Sequence, residues 1–156
     1  MKTFKEYYTE RKYWGTEAAG TVHIANDTKR ILFLKRSVEE DSEQGQWEIT
    51  IGGKKDDSDH AINITRDRET EEEIGPVEYT DTKSIEVFFD TGEDHRPFKY
   101  YVYARMVPKE FVPKLSEEHS EYKWVDINNE NDIPKPLHFG AERLIYKTDR
   151  IRKLVE

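Results

Sequence analysis

The chain has 156 residues, of which 35% are hydrophobic and 37% charged, and its formal net charge is −8. This length suits one domain, and nine Tyr, seven Phe and three Trp supply large side chains for a compact core, so we predict a single domain over residues 1–156. The acidic charge disfavours a nucleic-acid binder, the absence of cysteine excludes disulfides and thiolate sites, and no apolar run reaches the ~18 residues of a membrane span.

Strands dominate the first third of the chain. Residues 1–17 are aromatic and charged without a clear period, which leaves an N-terminal arm and an edge strand both open. They also lack the continuous apolar segment of a secretion signal, so the expected location is cytoplasmic, with no membrane partner. Apolar runs predict strands at 19–25, 30–36 and 47–51, the last ending at Gly52-Gly53.

Helices are predicted in the middle and at the end of the chain. The first runs from about Asp59 to Ile74, with Ser58 as its N-cap and Gly75 just past its C-terminus. A second begins at about His138 and carries an apolar stripe. Between them, strands are predicted at 84–90, 98–107 and 122–126, the first two as a hairpin. This order of elements predicts an α/β fold in which helices cover a mixed β-sheet.

The most informative segment is the acidic C-terminal half of the middle helix. Residues three and four apart on a helix are neighbours, so Glu69, Glu72 and Glu73 converge on one face while Glu71 points elsewhere. Such carboxylates repel one another and oppose the helix dipole, which disfavours the alternative of a merely solvated acidic face. Their oxygens are the ligands that hard cations such as Mg²⁺ or Mn²⁺ prefer. A cation would also reconcile an acidic protein with a phosphate-bearing substrate.

The segment from Gly52 to Gly75 resembles the Nudix box. The positions that match its fixed residues are Gly53, Arg68, Glu69, Glu72, Glu73 and Gly75. Flanking stretches such as ILFLKRS, YKWVD and IPKPLHFG also resemble Nudix chains, so the similarity covers about residues 18–146. The chain departs from the box at Asp59, which replaces a glutamate, in a one-residue insertion before Arg68, and at Thr70 and Pro76. These departures leave the role of Asp59 open.

The resemblance implies a Nudix-like α/β/α sandwich and a metal-dependent pyrophosphohydrolase. Such an enzyme cleaves the phosphoanhydride bond of a nucleoside diphosphate linked to another moiety, and ADP-ribose or a dinucleoside polyphosphate is the favoured small-molecule substrate. The implied ligands of Mg²⁺ or Mn²⁺ are Glu69, Glu72, Glu73 and the main-chain carbonyl of Gly53. Arg68 is implied to orient the glutamates, and Glu72 is the first choice of general base.

Further candidates come from the segments beside the box. The candidates for holding substrate phosphates are Lys35, Arg36, Lys54 and Arg105, and each is equally consistent with ordinary surface charge. Arg36 is the best placed of them, because it ends a strand near the box. Glu118 and Glu121 are alternatives for the general base, although a solvated loop explains both equally well. His119 lies near Glu118 and could touch substrate, but it is interpreted as a solvated loop histidine.

Two other functions compete with a hydrolase. An isoprenoid-diphosphate isomerase of the same fold is suggested by WEITIGG, but that activity resembles a cysteine-dependent one and this chain has no cysteine. A catalytically silent nucleotide-binding module is the other, and the intact glutamates disfavour it. A monomer and a homodimer are both consistent with the sequence.

Overall fold

The computed structural model of the chain describes residues 17–38, 44–90 and 98–156. The predicted N-terminal arm or edge strand therefore lies outside the described residues, apart from Glu17, and so does the predicted hairpin loop at 91–97. The strands are β1 Glu17–Ala25, β2 Ile31–Arg36, β3 Trp47–Glu48, β4 Ile51–Lys54, β5 Asp81–Asp90, β6 Phe98–Val107 and β7 His119–Val125. The helices are α1 Ile62–Ile74, a 3₁₀ turn Glu130–Asp132, α2 Phe139–Glu142, a π-helical turn Arg143–Lys147 and α3 Arg150–Leu154.

The described strands form one mixed sheet. Their order is β3-β2-β1-β6-β5, with β4 also paired to β1 and β7 also paired to β2. β1 and β6 run parallel, whereas the other pairs, including the predicted β5–β6 hairpin, run antiparallel. The predicted mixed sheet is confirmed.

Each face of the sheet carries its own apolar core, because strand residues alternate between the two faces. On β2, Ile31 and Phe33 join one core, while Leu32 and Leu34 join the other. The first core is completed by the C-terminal helical residues Ala141, Leu144, Ile145, Ile151 and Val155. The second is completed by Ile74 at the end of α1 together with Val107 and Trp124. The predicted α/β/α sandwich is therefore confirmed.

The start of α1 differs from the prediction. The helix begins at Ile62, and its N-cap is Ala61, without a side-chain cap, rather than Ser58. The hydroxyl of Ser58 instead donates to Asp56, and the Asp59 carboxylate turns inward to accept from the hydroxyl of Thr65 at 2.8 Å. At the other end the prediction holds: Gly75 has a φ of 82° and its N–H donates to the carbonyl of Glu71.

Two other predicted elements are divided in the structure. The strand expected at 47–51 splits into β3, which pairs with β2, and β4, which pairs with β1, so Gly52 and Gly53 lie inside β4. The last helix passes through a π-helical turn and is interrupted at Thr148, which has an extended conformation. No helix in residues 17–38, 44–90 and 98–156 is both long and apolar enough to cross a membrane.

Candidate functional site

A cavity of about 290 Å³ lies where the C-terminal half of α1 meets the loop that precedes β7. Its lining residues are Glu69, Glu72, Glu73, Ser116, Glu117 and Glu118. The loop is fixed to the helix end by two main-chain hydrogen bonds, from Lys114 N–H to the carbonyl of Ile74 at 2.9 Å and from Ser116 N–H to the carbonyl of Glu73 at 3.2 Å. The last carbonyls of a helix need partners from outside the helix, and this loop supplies them while it forms the second wall of the cavity.

Gly53 brings the main chain of β4 against the glutamate cluster. A Cβ atom at this position would lie 2.7 Å from the carboxyl carbon of Glu69, which is closer than real Cβ atoms approach. A side chain here would therefore displace the Glu69 carboxylate. Glycine therefore lets the main chain of β4 lie close to the glutamate cluster.

Arg68 connects the carboxylates of the site. Its Nη1 donates to Glu69 at 3.1 Å and to Glu72 at 3.3 Å, so one guanidinium holds two of the predicted ligands. Its Nε and Nη2 donate to Asp59 at 3.2 and 2.9 Å, and Nη2 also donates to the carbonyl of Lys54 at 3.2 Å. Arg68 thus contacts two of the three glutamates that it was predicted to orient.

The structure gives Asp59 a position away from the cavity. Its side chain is buried, and it accepts from Arg68, from Thr65 and from the N–H of Asp56. The hydrogen bonds from Arg68 hold the pKa of Asp59 well below its ordinary value, so this carboxylate is ionised and anchors the guanidinium. The sequence left the role of Asp59 open because this residue precedes α1, whereas its partner Arg68 lies nine residues later, within the helix.

Burial makes two of the clustered glutamates hard to ionise. It raises the pKa of Glu69 to about 7, and the charges of Glu72 and Glu118 act in the same direction while Arg68 opposes them. Burial likewise raises the pKa of Glu73 well above its usual value, and a hydrogen bond with Glu118 adds to this. A divalent cation would relieve both effects by neutralising the charge, so this donor set of carboxylate oxygens fits such an ion.

A buried ion pair beside the cavity was not predicted from the sequence. Arg36 is 2% exposed and its Nη1 donates to Glu48 at 2.8 Å, which argues against the prediction that Arg36 holds substrate phosphates. The other Glu48 oxygen lies 3.2 Å from Nε2 of His119. The interpretation of His119 as a solvated loop residue is wrong, because this residue begins β7 and pairs with Arg36 in the sheet.

The remaining candidates are dispersed. Glu118 lines the cavity, as the sequence allowed, but Glu121 forms an ion pair with Lys35 at 3.0 Å and does not line it. Lys54 is exposed in β4 beside Gly53, and it is also not a lining residue. Arg105 is buried and pairs with Asp67 at 2.8 Å, so it does not offer its guanidinium to a substrate in the cavity.

A family model for the NUDIX domain matches residues 15–147, which is most of the chain. The chain belongs to the NUDIX domain family. The resemblance predicted from the box glutamates is thereby confirmed. No curated protein was found to match the sequence.

Solved structures of the family share the fold. A Nudix hydrolase from M. smegmatis, RenU, is similar with a TM-score of 0.68 and 17% identity, over 92% of this chain and 90% of that one. The NUDIX domain of NrtR from Shewanella oneidensis, solved with ADP ribose, has a TM-score of 0.68 and 18% identity, over 99% and 100%. An Ap4A hydrolase from C. elegans has a TM-score of 0.56 and 19% identity, over 90% and 93%. Family and fold together support the predicted class of enzyme, a pyrophosphohydrolase.

Proposed function

We propose that the protein is a metal-dependent hydrolase that cleaves the phosphoanhydride bond of a nucleoside diphosphate linked to a second moiety. The observation that carries this proposal is the cavity in which Glu69, Glu72 and Glu73 meet, with Arg68 holding two of them. ADP-ribose and dinucleoside polyphosphates are the favoured substrates. The structural similarity to a domain solved with ADP ribose and to an Ap4A hydrolase supports these two classes.

The residues of the cavity would hold a divalent cation, Mg²⁺ or Mn²⁺. Glu69, Glu72 and Glu73 would supply carboxylate oxygens, and the carbonyl of Gly53 would add a main-chain ligand, because this glycine already lies against Glu69. When bound, such an ion neutralises the charge of a diphosphate and activates a water molecule for attack on phosphorus.

The protein's own side chains would position the reactants and take up the proton. Arg68 keeps the carboxylates of Glu69 and Glu72 in place, and the buried Asp59 keeps Arg68 in place. Glu72 is the proposed general base, since it lines the cavity and its side chain is 57% exposed, within reach of a water molecule. Glu118, on the opposite wall, is the second candidate.

A panel of nucleotides tests the proposal. With Mg²⁺ or Mn²⁺ present, at least one nucleoside diphosphate conjugate should be hydrolysed to two phosphate-bearing products, and excess EDTA should abolish turnover. Hydrolysis that survives complete chelation would exclude the mechanism. If no conjugate in the panel were hydrolysed, the silent binding module would be favoured instead.

Substitution of the proposed base is the sharper test. Glu72→Gln keeps the shape of the side chain but removes a proton acceptor and a ligand, so kcat should fall by about 10²–10⁴-fold or more. Glu121→Gln is the matched control, because Glu121 pairs with Lys35 outside the cavity and its loss should leave kcat unchanged. If Glu72→Gln kept near-normal turnover while Glu118→Gln lost it, the base would be Glu118.

A further inference from the structure

Glu73, Glu118 and His119 bring three potential ligand atoms to one point beside the cavity. One carboxylate oxygen from each glutamate and one ring nitrogen of His119 all lie within 4.8 Å of one another. Glu73 comes from α1, while the other two come from the start of β7 and the residue before it. The cluster therefore joins the helix that carries the box glutamates to the opposite wall of the cavity.

The orientation of His119 leaves one ring nitrogen directed away from its hydrogen bond. Its side chain is fully buried, and Nε2 lies 3.2 Å from Glu48, which is itself paired with Arg36 at 2.8 Å. An ionised carboxylate only accepts hydrogen bonds, so Nε2 carries a proton, and in the neutral ring Nδ1 then carries the lone pair. Among the residues that the structure describes, none forms a hydrogen bond with this buried Nδ1.

Glu73 has the same unusual feature. The residue is 6% exposed, and its Oε2 is buried without a hydrogen-bond partner in the described part of the chain. Buried polar atoms are nearly always paired, so two such acceptors on residues of one cluster require an explanation. Both atoms can donate a lone pair to a cation, so one bound ion would supply a partner for each. Metal-binding histidines also characteristically donate their second N–H to a carboxylate, as His119 does to Glu48.

We propose that Glu73, Glu118 and His119 form a mixed nitrogen and oxygen cation site, with Nδ1 of His119 as a direct ligand. Imidazole nitrogen suits transition ions, whereas Mg²⁺ prefers oxygen alone, so the protein selects Mn²⁺ over Mg²⁺ at this position. Arg36 and Glu48 act through His119 as positioning residues: they fix its tautomer and ring orientation. A role for this cation in hydrolysis rests on the proposed function, whereas the binding of the cation to these three residues does not.

Electron spin echo spectroscopy of bound Mn²⁺ tests the nitrogen ligand directly. The wild-type protein with Mn²⁺ should show the hyperfine coupling of a coordinated imidazole nitrogen, and labelling histidine with the heavy nitrogen isotope should change that coupling. His119→Gln should lose the coupling and bind Mn²⁺ about tenfold or more weakly, while its affinity for Mg²⁺ stays about the same. His60→Gln is the control, because His60 is exposed in the turn before α1 and should change neither.

The wild-type spectrum decides the inference even if His119→Gln fails to fold. Bound Mn²⁺ without a histidine nitrogen coupling would overturn the proposed ligand, whatever the variants do. Coupling without hydrolysis of any nucleotide would support the site and count against the proposed function. Metal-dependent hydrolysis without histidine coupling would support the proposed function and overturn the proposed His119 ligand.

Discussion

The two faces of the sheet bury residues of different polarity. The face covered by the C-terminal helices is apolar, with residues such as Phe33, Val102 and Leu144 packed together. The face covered by α1 contains buried polar and charged groups between the helix and the sheet. The buried polar residues of β1, β6 and α1 are Thr21, His23, Arg105, Thr65, Thr70 and Glu73. One face is therefore stabilised mainly by apolar packing, while the other buries polar groups, which is costly, beside the proposed site.

The composition of α1 shows how this second face is held in place. Of its four buried residues, Thr65, Thr70, Glu73 and Ile74, only the last is apolar. The helix is attached instead by the pairing of Arg68 with Asp59 and of Asp67 with Arg105, and by the loop bonded to its C-terminus. Polar attachments depend on charge and geometry rather than on buried area. Substitutions on the two faces should therefore differ in size and in their dependence on pH.

The largest effect on stability should come from the apolar face. Leu144→Ala removes a side chain that is 1% exposed in the first core, and it should lower the free energy of unfolding by about 2–5 kcal/mol. Ile64→Ala is the control on α1, where the side chain is 39% exposed, and it should change stability by less than about 0.5 kcal/mol. Urea unfolding measures both. Similar losses at the two positions would contradict the contrast between the faces.

Asp59→Asn should have a smaller effect that depends on pH. The variant loses charged hydrogen bonds to Arg68, which is 29% exposed, so the expected cost is about 2 kcal/mol at neutral pH. Because the pKa of Asp59 is lowered in the fold, this contribution is complete above the ordinary value of 3.8 and is lost as the pH falls below it. The difference between wild type and variant in the free energy of unfolding should therefore shrink as the pH falls below 3.8 towards 2. A difference that stayed constant would mean that charge is not its source.

His23 provides a second dependence on pH on the α1 side. Burial, with help from the charge of Arg105, lowers its pKa from 6.5 to about 3, so the folded protein keeps this ring neutral. The unfolded chain binds a proton below pH 6.5 and the folded chain does not, so stability should fall with decreasing pH across this window by up to about 1.4 kcal/mol per unit. His23→Leu should remove that part of the slope. His60→Gln, at an exposed position, should retain it.

The smallest predicted effect concerns charge at the end of α1. Glu73→Gln should stabilise the metal-free protein by roughly 0.3–1 kcal/mol, because it removes repulsion and an unfavourable interaction with the helix dipole. Glu71→Gln is the control, since Glu71 is exposed and outside the cavity. Added Mn²⁺ should raise the melting temperature of the wild type more than that of Glu73→Gln. Identical melts with and without metal would indicate that the glutamates bind no cation.

The sequence predicted the elements whose pattern is local. Helical spacing was sufficient to predict that Glu69, Glu72 and Glu73 converge, and all three line the cavity. The strand at 98–107 was predicted with its observed bounds. The burial of Arg36 and His119 was missed because it follows from the pairing of β2 with β7, which are far apart in the chain. The start of α1 was missed because Ser58 and Asp59, which have the composition of a cap, are used by Asp56 and Arg68.

The parallel pairing of β1 with β6 has a consequence for how the chain folds. Every residue of β1, from Glu17 to Ala25, pairs with one that lies 82 positions later, so the middle of the sheet is assembled from distant parts of the chain. Such contacts are formed only after the entropy of closing a long loop has been overcome, which slows folding. During synthesis, β1 emerges without its central neighbour and must wait until β6 has been translated. The pair that defines the architecture is thus among the last that the growing chain can complete.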